Sequence, residues 1–269
     1  MTLLTVNRLI NPIANTGVVT PATIFGSSTI GWFLAGNAGV GVADNSFRTL
    51  DTSAGEDNVS VYKNQVAGQP NLTQATKANM PQYVANDLNG YDSVYLDTAN
   101  VFMLSGNTVT GGATNLIVGI VAKVNNRPVS YARIQGVTTD AISDFSGTTG
   151  CIAVSNSSPA SGLAVYQNGT DFGNAVLSSG VWRTIVAHWD GVADTITVRA
   201  NGTDVIGPVA WTNALTFNRL LFGCENAGGS GTNNFFYSPE CLWASGASQF
   251  SASQVTALES YFRTKYGHY

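Results

Sequence analysis

The end of the chain constrains the fold most, because it contains a segment with every signal of an amphipathic helix. Residues 251–267 predict this helix, with Ser251 and Gln254 forming a capping box and Gly267 as the stop. Its apolar residues recur at helical spacing on one face: Val255, Leu258, Phe262 and Tyr266. The preceding residues, 235–243, predict a strand. A helix that closes the chain directly after a strand is a narrow architectural clue.

The remainder of the chain is typical of strands and turns. Residues 116–124 are almost continuously apolar and β-branched, which predicts a central strand buried on both faces. Asn168-Gly169 and Asn201-Gly202 follow segments that suit strands and predict hairpin turns. Strands and helices do not alternate, so a parallel α/β fold is excluded. We expect an all-β protein, an antiparallel jelly-roll β-sandwich of about ten to fourteen strands with one C-terminal helix.

The first 28 residues differ from the rest and predict an extended N-terminal arm. Turn-forming pairs interrupt this segment, yet it is too apolar for a solvated tail. We therefore expect residues 1–28 to anchor the protein against its own sandwich or a neighbouring subunit, and residues 29–269 to form the jelly-roll domain. The candidate anchoring residues are Leu3, Leu4, Leu9 and Ile10.

Low charge limits the classes of function. Charged residues make up 10% of the chain and the net charge is −4, whereas globular proteins average about 25% charged residues. Nucleic acid is not an expected partner because basic runs are absent. We expect no membrane span, since no apolar run reaches about 18 residues, and no signal peptide. Such a surface suits a protein packed into an assembly, and we expect location in a virion that becomes extracellular after phage lysis.

The order of several segments resembles that in a known group of modules. The segments are 74–84, 94–97, 181–186 and 221–223, followed by the closing helix. They are similar to laminin-G-like, concanavalin A-like jelly-roll modules of phage virion and bacterial surface proteins, over residues 30–267. The resemblance implies two curved antiparallel sheets packed face to face. It leaves function open, because such modules bind glycans or proteins, decorate virions, or act as glycosidases and lyases.

Catalytic patterns are weak in this sequence. Retaining glycosidases of this fold class carry alternating carboxylates on one strand, since they need two carboxyl groups about 5 Å apart. In this chain the glutamates are scattered at positions 56, 225, 240 and 259. We expect Glu240 to brace a neighbouring loop. His188 is not an expected catalytic base, because the sequence lacks the G-x-S-x-G motif that would supply a serine nucleophile. The sequence therefore predicts no enzyme.

Metal and thiol chemistry is also weakly supported. Related modules often bind calcium, but the candidate aspartates lack a metal-loop spacing and are expected to cap turns. These aspartates are Asp87, Asp97, Asp140 and Asp144. We expect no cofactor and leave calcium open. The three cysteines, Cys151, Cys224 and Cys241, are expected to be buried thiols without disulfides.

One tryptophan is a candidate contact residue. Trp32, Trp182 and Trp243 lie in predicted strands, which indicates core positions. Trp211 lies in the looser segment 207–213, where an exposed ring could stack on a sugar or anchor a protein interface. Packing under a loop is the alternative.

The leading hypothesis is a non-enzymatic phage virion structural protein, either a capsid decoration protein or a tail-associated adhesin. Its partners would be capsid or tail subunits and host-surface glycans, and it would be a homo-oligomer within the assembly. The alternative is a free carbohydrate-binding module. A glycosidase or polysaccharide lyase with an unrecognised site at Glu240 is the third hypothesis.

Overall fold

The computed structural model describes twelve parts of the chain. They are residues 19–36, 46–53, 57–97, 100–109, 114–125, 132–139, 152–156, 162–167, 170–211, 215–224, 226–229 and 236–269. The protein is all-β, as predicted, with antiparallel strands and a C-terminal helix. Within these residues, neither of the two helices is long and apolar enough to cross a membrane.

One layer of the sandwich is built around the strand that precedes the closing helix. Its strands are β1 (Thr29–Leu34), β8 (Asn115–Val124), β13 (Trp182–Asp190), β14 (Thr195–Ala200), β15 (Thr203–Ala210) and β17 (Phe236–Gly246). They pair in the order β1-β17-β8-β13-β14-β15, all antiparallel. We call this layer the helix-covered sheet. Its central strand β8 confirms the prediction for residues 116–124, because it is buried on both faces over most of its length.

The opposite layer contains shorter strands. Its strands are β2 (Arg48–Asp51), β3 (Asn58–Tyr62), β4 (Leu72–Thr73), β7 (Met103–Ser105), β9 (Ala132–Thr138), β10 (Ile152–Asn156), β11 (Gly162–Gln167), β12 (Thr170–Val176) and β16 (Arg219–Phe222). They pair in the order β2-β3-β4-β7-β16-β9-β10-β11-β12. The hairpin of β5 (Gln82–Leu88) and β6 (Tyr91–Leu96) joins the layers, because β5 pairs with β3 and β6 pairs with β17.

The main core lies between the two layers. Its apolar side chains come from both layers, with Trp189 and Trp243 among the largest that are fully buried. Hydrogen bonds also cross the core: Trp243 Nε1 donates to the Gly136 carbonyl at 2.8 Å, and Gln135 Nε2 donates to the Leu242 carbonyl at 2.6 Å. These buried polar groups therefore have partners where the layers meet.

The closing helix forms as predicted. Helix α2 spans Ala252–Tyr266, Ser251 caps it through the expected capping box, and Gly267 follows with φ 58° in the left-handed region. Its apolar face covers the outer side of the helix-covered sheet and forms a second core. Gly119 permits this approach, since a Cβ there would lie 2.9 Å from Leu258 Cδ2.

A second, short helix corrects the prediction of one helix. One of the turn-forming pairs of residues 1–28 is Thr20-Pro21, which predicts a break, yet Thr20 caps α1 (Pro21–Phe25) and Pro21 begins it. The α1 residues pack on their own chain, with Phe25 5.4 Å from Phe250 between ring centroids and Gln254 Nε2 donating to the Ile24 carbonyl at 3.0 Å. This part of the predicted arm, residues 19–28, thus covers its own sandwich.

Candidate functional site

Helix α2 connects two charged clusters on the outer side of the helix-covered sheet. We call the first the Glu240 cluster, comprising Glu240, Trp32, Tyr261, Lys265 and Tyr266. We call the second the Arg199 groove; its lining includes Arg199, Asn201, Glu259, Arg263 and Tyr269, and Asp204 is joined to it through an ion pair with Arg199.

The Glu240 cluster is closed. The Glu240 side chain is fully buried, on the face of β17 that α2 covers. Its Oε1 accepts hydrogen bonds from Trp32 Nε1 at 2.6 Å and the Tyr261 hydroxyl at 2.9 Å, and its Oε2 accepts from Lys265 Nζ at 2.7 Å and the Tyr266 hydroxyl at 2.7 Å. Four protein donors therefore occupy both oxygens of the buried carboxylate.

The tyrosines of this cluster remain donors. Burial raises the pKa of Tyr261 and of Tyr266, and the nearby Glu240 charge raises both further. Both hydroxyls therefore keep their protons over the physiological range. Glu240 was expected to brace a loop; it instead holds α2 to β1 and β17.

The Arg199 groove is open and lies on the other flank of α2. It is a cavity of about 270 Å³ between the β14–β15 turn and the helix. Arg199 Nε and Nη2 donate to the two Glu259 oxygens at 2.8 and 3.3 Å, and Nη1 donates to Asp204 Oδ1 at 2.5 Å. One guanidinium therefore positions two carboxylates from different elements.

Exposure differs among these charged groups. The Asp204 side chain is 47% exposed, whereas Glu259 is 6% exposed beneath it in the same ion-pair network. Hydrogen bonding to Glu259 is the largest cause that raises the pKa of Arg199. Arg199 is therefore a permanent cation, Glu259 is a largely buried anchor, and Asp204 is the carboxylate that a ligand can reach.

A row of aromatic side chains crosses the same sheet beyond the end of α2. Tyr95 and Tyr237 stack with 4.0 Å between ring centroids, and Lys123 Nζ lies 3.9 Å from the Tyr237 centroid and 4.9 Å from that of Trp182. Lys123 also pairs with Asp87 at 3.2 Å. Because these groups contact one another, the row is a packed cluster, and Asp87 is bound to a lysine.

Trp211 does not occupy the predicted surface position. It is 2% exposed and belongs to the main core, and its Nε1 donates to Gln167 Oε1. The interpretation of an exposed ring is wrong, because the indole packs in the main core with its polar atom paired. The alternative of packing is what the structure shows.

Other predicted residues are only partly covered. Leu3, Leu4, Leu9 and Ile10 lie outside the described residues, as do Asp140, Asp144, Cys151, Glu56, Glu225 and the Asn168-Gly169 turn. Asp97 accepts a hydrogen bond from Gln82 Nε2 at 3.4 Å. Cys224 and Cys241 are buried cysteines, as expected. Among the described residues, no group of three or more His, Cys, Asp or Glu could hold a metal ion.

Sequence reasoning did not identify the Arg199 groove. Arg199 and Glu259 are 60 residues apart, and no local pattern joins them. One local signal does exist: the Asn201-Gly202 turn places Arg199 directly opposite Asp204 in the β14–β15 register. Opposite charges at facing positions of a hairpin interact.

Comparison with known proteins gives structural matches only. No protein-family model matches the chain, and no curated protein matches its sequence. A GH54 α-L-arabinofuranosidase mutant soaked with 4-nitrophenyl α-L-arabinofuranoside matches with a TM-score of 0.62 at 13% identity, over 92% of this chain and 66% of that one. An arabinofuranosidase complexed with arabinofuranosyl-α-1,2-xylobiose matches with a TM-score of 0.65 at 13% identity, over 92% and 65%.

A sialidase shares the fold over a smaller part of its length. The Trypanosoma rangeli sialidase bound to a difluoro sugar acid matches with a TM-score of 0.57 at 9% identity, over 95% of this chain and 35% of that one. The chain thus spans about two thirds of the arabinofuranosidases and about a third of the sialidase. At these identities the likeness shows the fold.

These matches contradict the expectation of a non-enzymatic phage virion protein. The arabinofuranosidases and the sialidase described above are glycosidases, and the virion and capsid-decoration hypothesis finds no counterpart among them. The expectation of no enzyme is contradicted with it. A pattern of carboxylates along one strand does not detect the Arg199 groove, because the two carboxylates that pair with Arg199 come from a strand and a helix.

Proposed function

We propose that this chain binds glycans and takes part in glycoside hydrolysis, with the Arg199 groove as its site. The observation that carries the proposal is this groove, in which one guanidinium positions two carboxylates. Its support from comparison is that arabinofuranosidases and a sialidase share the sandwich over 92–95% of the chain.

The groove suits the charge that develops during glycoside cleavage. Hydrolysis passes through an oxocarbenium-like transition state with positive charge on the sugar ring. The exposed Asp204 carboxylate is placed to face that charge, and Arg199 restricts its position. Glu259 holds Arg199 from below through two hydrogen bonds. In this assignment Asp204 contacts the sugar, and Arg199 and Glu259 are positioning residues.

The proposal is tested with aryl glycosides, whose leaving group departs readily without a protonated acid. Purified protein is incubated with 4-nitrophenyl α-L-arabinofuranoside and with an aryl sialoside, and release of the aryl group is followed. We expect turnover of one substrate and a loss of about 100-fold in kcat for Asp204→Asn, the scale for removing one charge-stabilising group.

Asp97→Asn is the matched control, because it makes the same change at a half-buried aspartate that lies outside the groove and accepts a hydrogen bond from Gln82. We expect its kcat to equal that of the unaltered protein. The proposal fails if neither substrate is cleaved, or if Asp204→Asn and Asp97→Asn have the same kcat.

A further inference from the structure

Within the described residues, the Arg199 groove contains one guanidinium, that of Arg263, for which no hydrogen bond or ion pair is seen. Arg263 lies on the exposed face of α2, one turn beyond Glu259, and lines the cavity. A glutamate and an arginine at this spacing commonly pair. Within the described part of the chain, however, the Arg263 guanidinium makes only one contact, with the Tyr269 ring at 5.9 Å from its centroid.

The carboxylates that could pair with Arg263 are already engaged. Arg199 takes both oxygens of Glu259 and one oxygen of Asp204, and its Nη2 also donates to the Gly202 carbonyl at 2.5 Å. The internal ion pairs thus use the anionic groups of the groove on Arg199. Arg263 is the cation of the groove that takes no part in these ion pairs.

Two neighbours complete a surface suited to a sugar ring. Tyr269 is 38% exposed and lines the cavity, so part of its ring can pack against the apolar side of a pyranose. Asn201 Oδ1 accepts from the Thr184 amide at 2.9 Å, which orients the Asn201 amide beside the same cavity. Its NH₂ group is a further donor towards the groove.

We propose that the Arg199 groove binds a carboxylated sugar, a uronate residue, with its carboxylate on Arg263 and its ring against Tyr269. A planar carboxylate matches the fork of a guanidinium through two parallel hydrogen bonds. A neutral sugar would leave the cation unpaired. The cavity, about 270 Å³, is at the small end of ligand pockets and suits one sugar ring. This inference rests on the proposed function only for the expectation that the ligand is a glycan.

The test is calorimetric binding of trigalacturonate and of the neutral trisaccharide of galactose with the same linkage. We expect trigalacturonate to bind more tightly, with affinity that falls as NaCl rises from roughly 50 to roughly 500 mM because the attraction is between exposed charges. Arg263→Gln is expected to raise the Kd for trigalacturonate by about tenfold, whereas Arg263→Lys keeps part of the affinity because it retains the charge.

Lys77→Gln is the charge-matched control. Lys77 lies in the turn Lys77–Asn79 and donates to Ser53, outside the groove lining, so its substitution removes one positive charge, as Arg263→Gln does, without touching the site. Equal Kd values for the acidic and neutral trisaccharides would overturn the inference, as would absence of binding or a Kd unchanged by Arg263→Gln.

Failure of this inference is distinguishable from failure of the proposed function. Cleavage of a neutral aryl arabinofuranoside that is unaffected by Arg263→Gln, together with equal binding of both trisaccharides, retains hydrolysis and removes the uronate assignment. Binding of trigalacturonate that depends on Arg263, without cleavage of any glycoside, retains the uronate site and removes hydrolysis.

Discussion

The Glu240 cluster and the Arg199 groove lie on the same helix and contain the same kind of ion pair, but they differ in the burial and pairing of their charged groups. In each, a glutamate and a basic residue join α2 to the sheet. Glu240 is fully buried and its oxygens accept hydrogen bonds from four protein groups. Asp204, which pairs with Arg199, is 47% exposed, and Arg263, which lines the groove, has no carboxylate partner in the described chain. Burial and complete pairing therefore mark a structural cluster, whereas exposure and a cation without a carboxylate partner are the features on which we base the proposed binding surface.

Glu240→Gln should have the largest effect on stability. The substitution removes the charge that compensates Lys265 and turns an acceptor into a donor that faces other donors. Breaking a buried ion pair costs about 3–5 kcal/mol. Urea unfolding monitored by tryptophan fluorescence measures this loss. A loss below about 1 kcal/mol would show that the cluster is not the structural anchor we infer.

Leu258→Ala tests whether apolar packing contributes as much to helix docking as the Glu240 cluster. Leu258 is fully buried and lies over Gly119, so we expect a loss of about 2–5 kcal/mol from the cavity that remains. Thr264→Ala, on the exposed side of α2, is the control and should change stability by less than about 0.5 kcal/mol. Similar unfolding midpoints for both variants would contradict the packing of α2.

A histidine between the two clusters predicts acid sensitivity. His268 lies 6.5 Å from Tyr266 and 4.8 Å from Tyr269 between ring centroids, and burial lowers its pKa from 6.5 to about 4. The fold therefore favours the neutral ring. The stability from this preference is fully present above pH 6.5 and is lost as the pH falls towards the folded pKa of about 4.

The expected loss from His268 is about 1 kcal/mol, since partial exposure screens the charge. Urea midpoints at about pH 7.5 and about pH 5, on either side of the unfolded pKa, measure it, and His268→Gln should reduce the difference between the two. Burial also lowers the pKa of His188, so the His268→Gln variant should keep part of the difference between the two midpoints. If His268→Gln leaves the difference between the two midpoints unchanged, His268 is not the cause of the acid sensitivity.

Glu259→Gln should have the smallest effect on stability. It is the most direct test of the difference between the Glu240 cluster and the Arg199 groove. It makes the same chemical change as Glu240→Gln on the other flank of α2. Because Arg199 is 26% exposed and retains Asp204, we expect a loss of about 1 kcal/mol or less. A loss as large as that of Glu240→Gln would mean that the groove is also a structural cluster.

Sequence reasoning was most successful where local patterns determine structure. The capping box at Ser251, the stop at Gly267 and the apolar face of α2 appear as predicted. The turn at Asn201-Gly202 also forms, with φ values of 50° and 79° that suit these residues. It failed at Trp211, where burial depends on how a loop returns to the core, and at α1, where Pro21 begins a helix after an apparent break.

The candidate site was not predictable because its parts are distant in sequence. Arg199 and Asp204 share a hairpin, but Glu259 and Arg263 come from the helix that packs beside that hairpin. A search for carboxylates alternating on one strand excludes such an arrangement. Only docking of α2 across the sheet, which Gly119 permits, brings these charges together.

The sequence by itself determined the strands, the hairpin turn and the closing helix of this protein, because alternation, turn residues and caps act within a few residues. The tertiary structure decided which charged side chains are buried and which remain available. Glu240 and Asp204 are both lone carboxylates on strands in the sequence, but Glu240 is fully buried between a helix and a sheet whereas the Asp204 side chain is 47% exposed. Exposure and pairing depend on contacts between distant segments, and these arise only when the sandwich has formed.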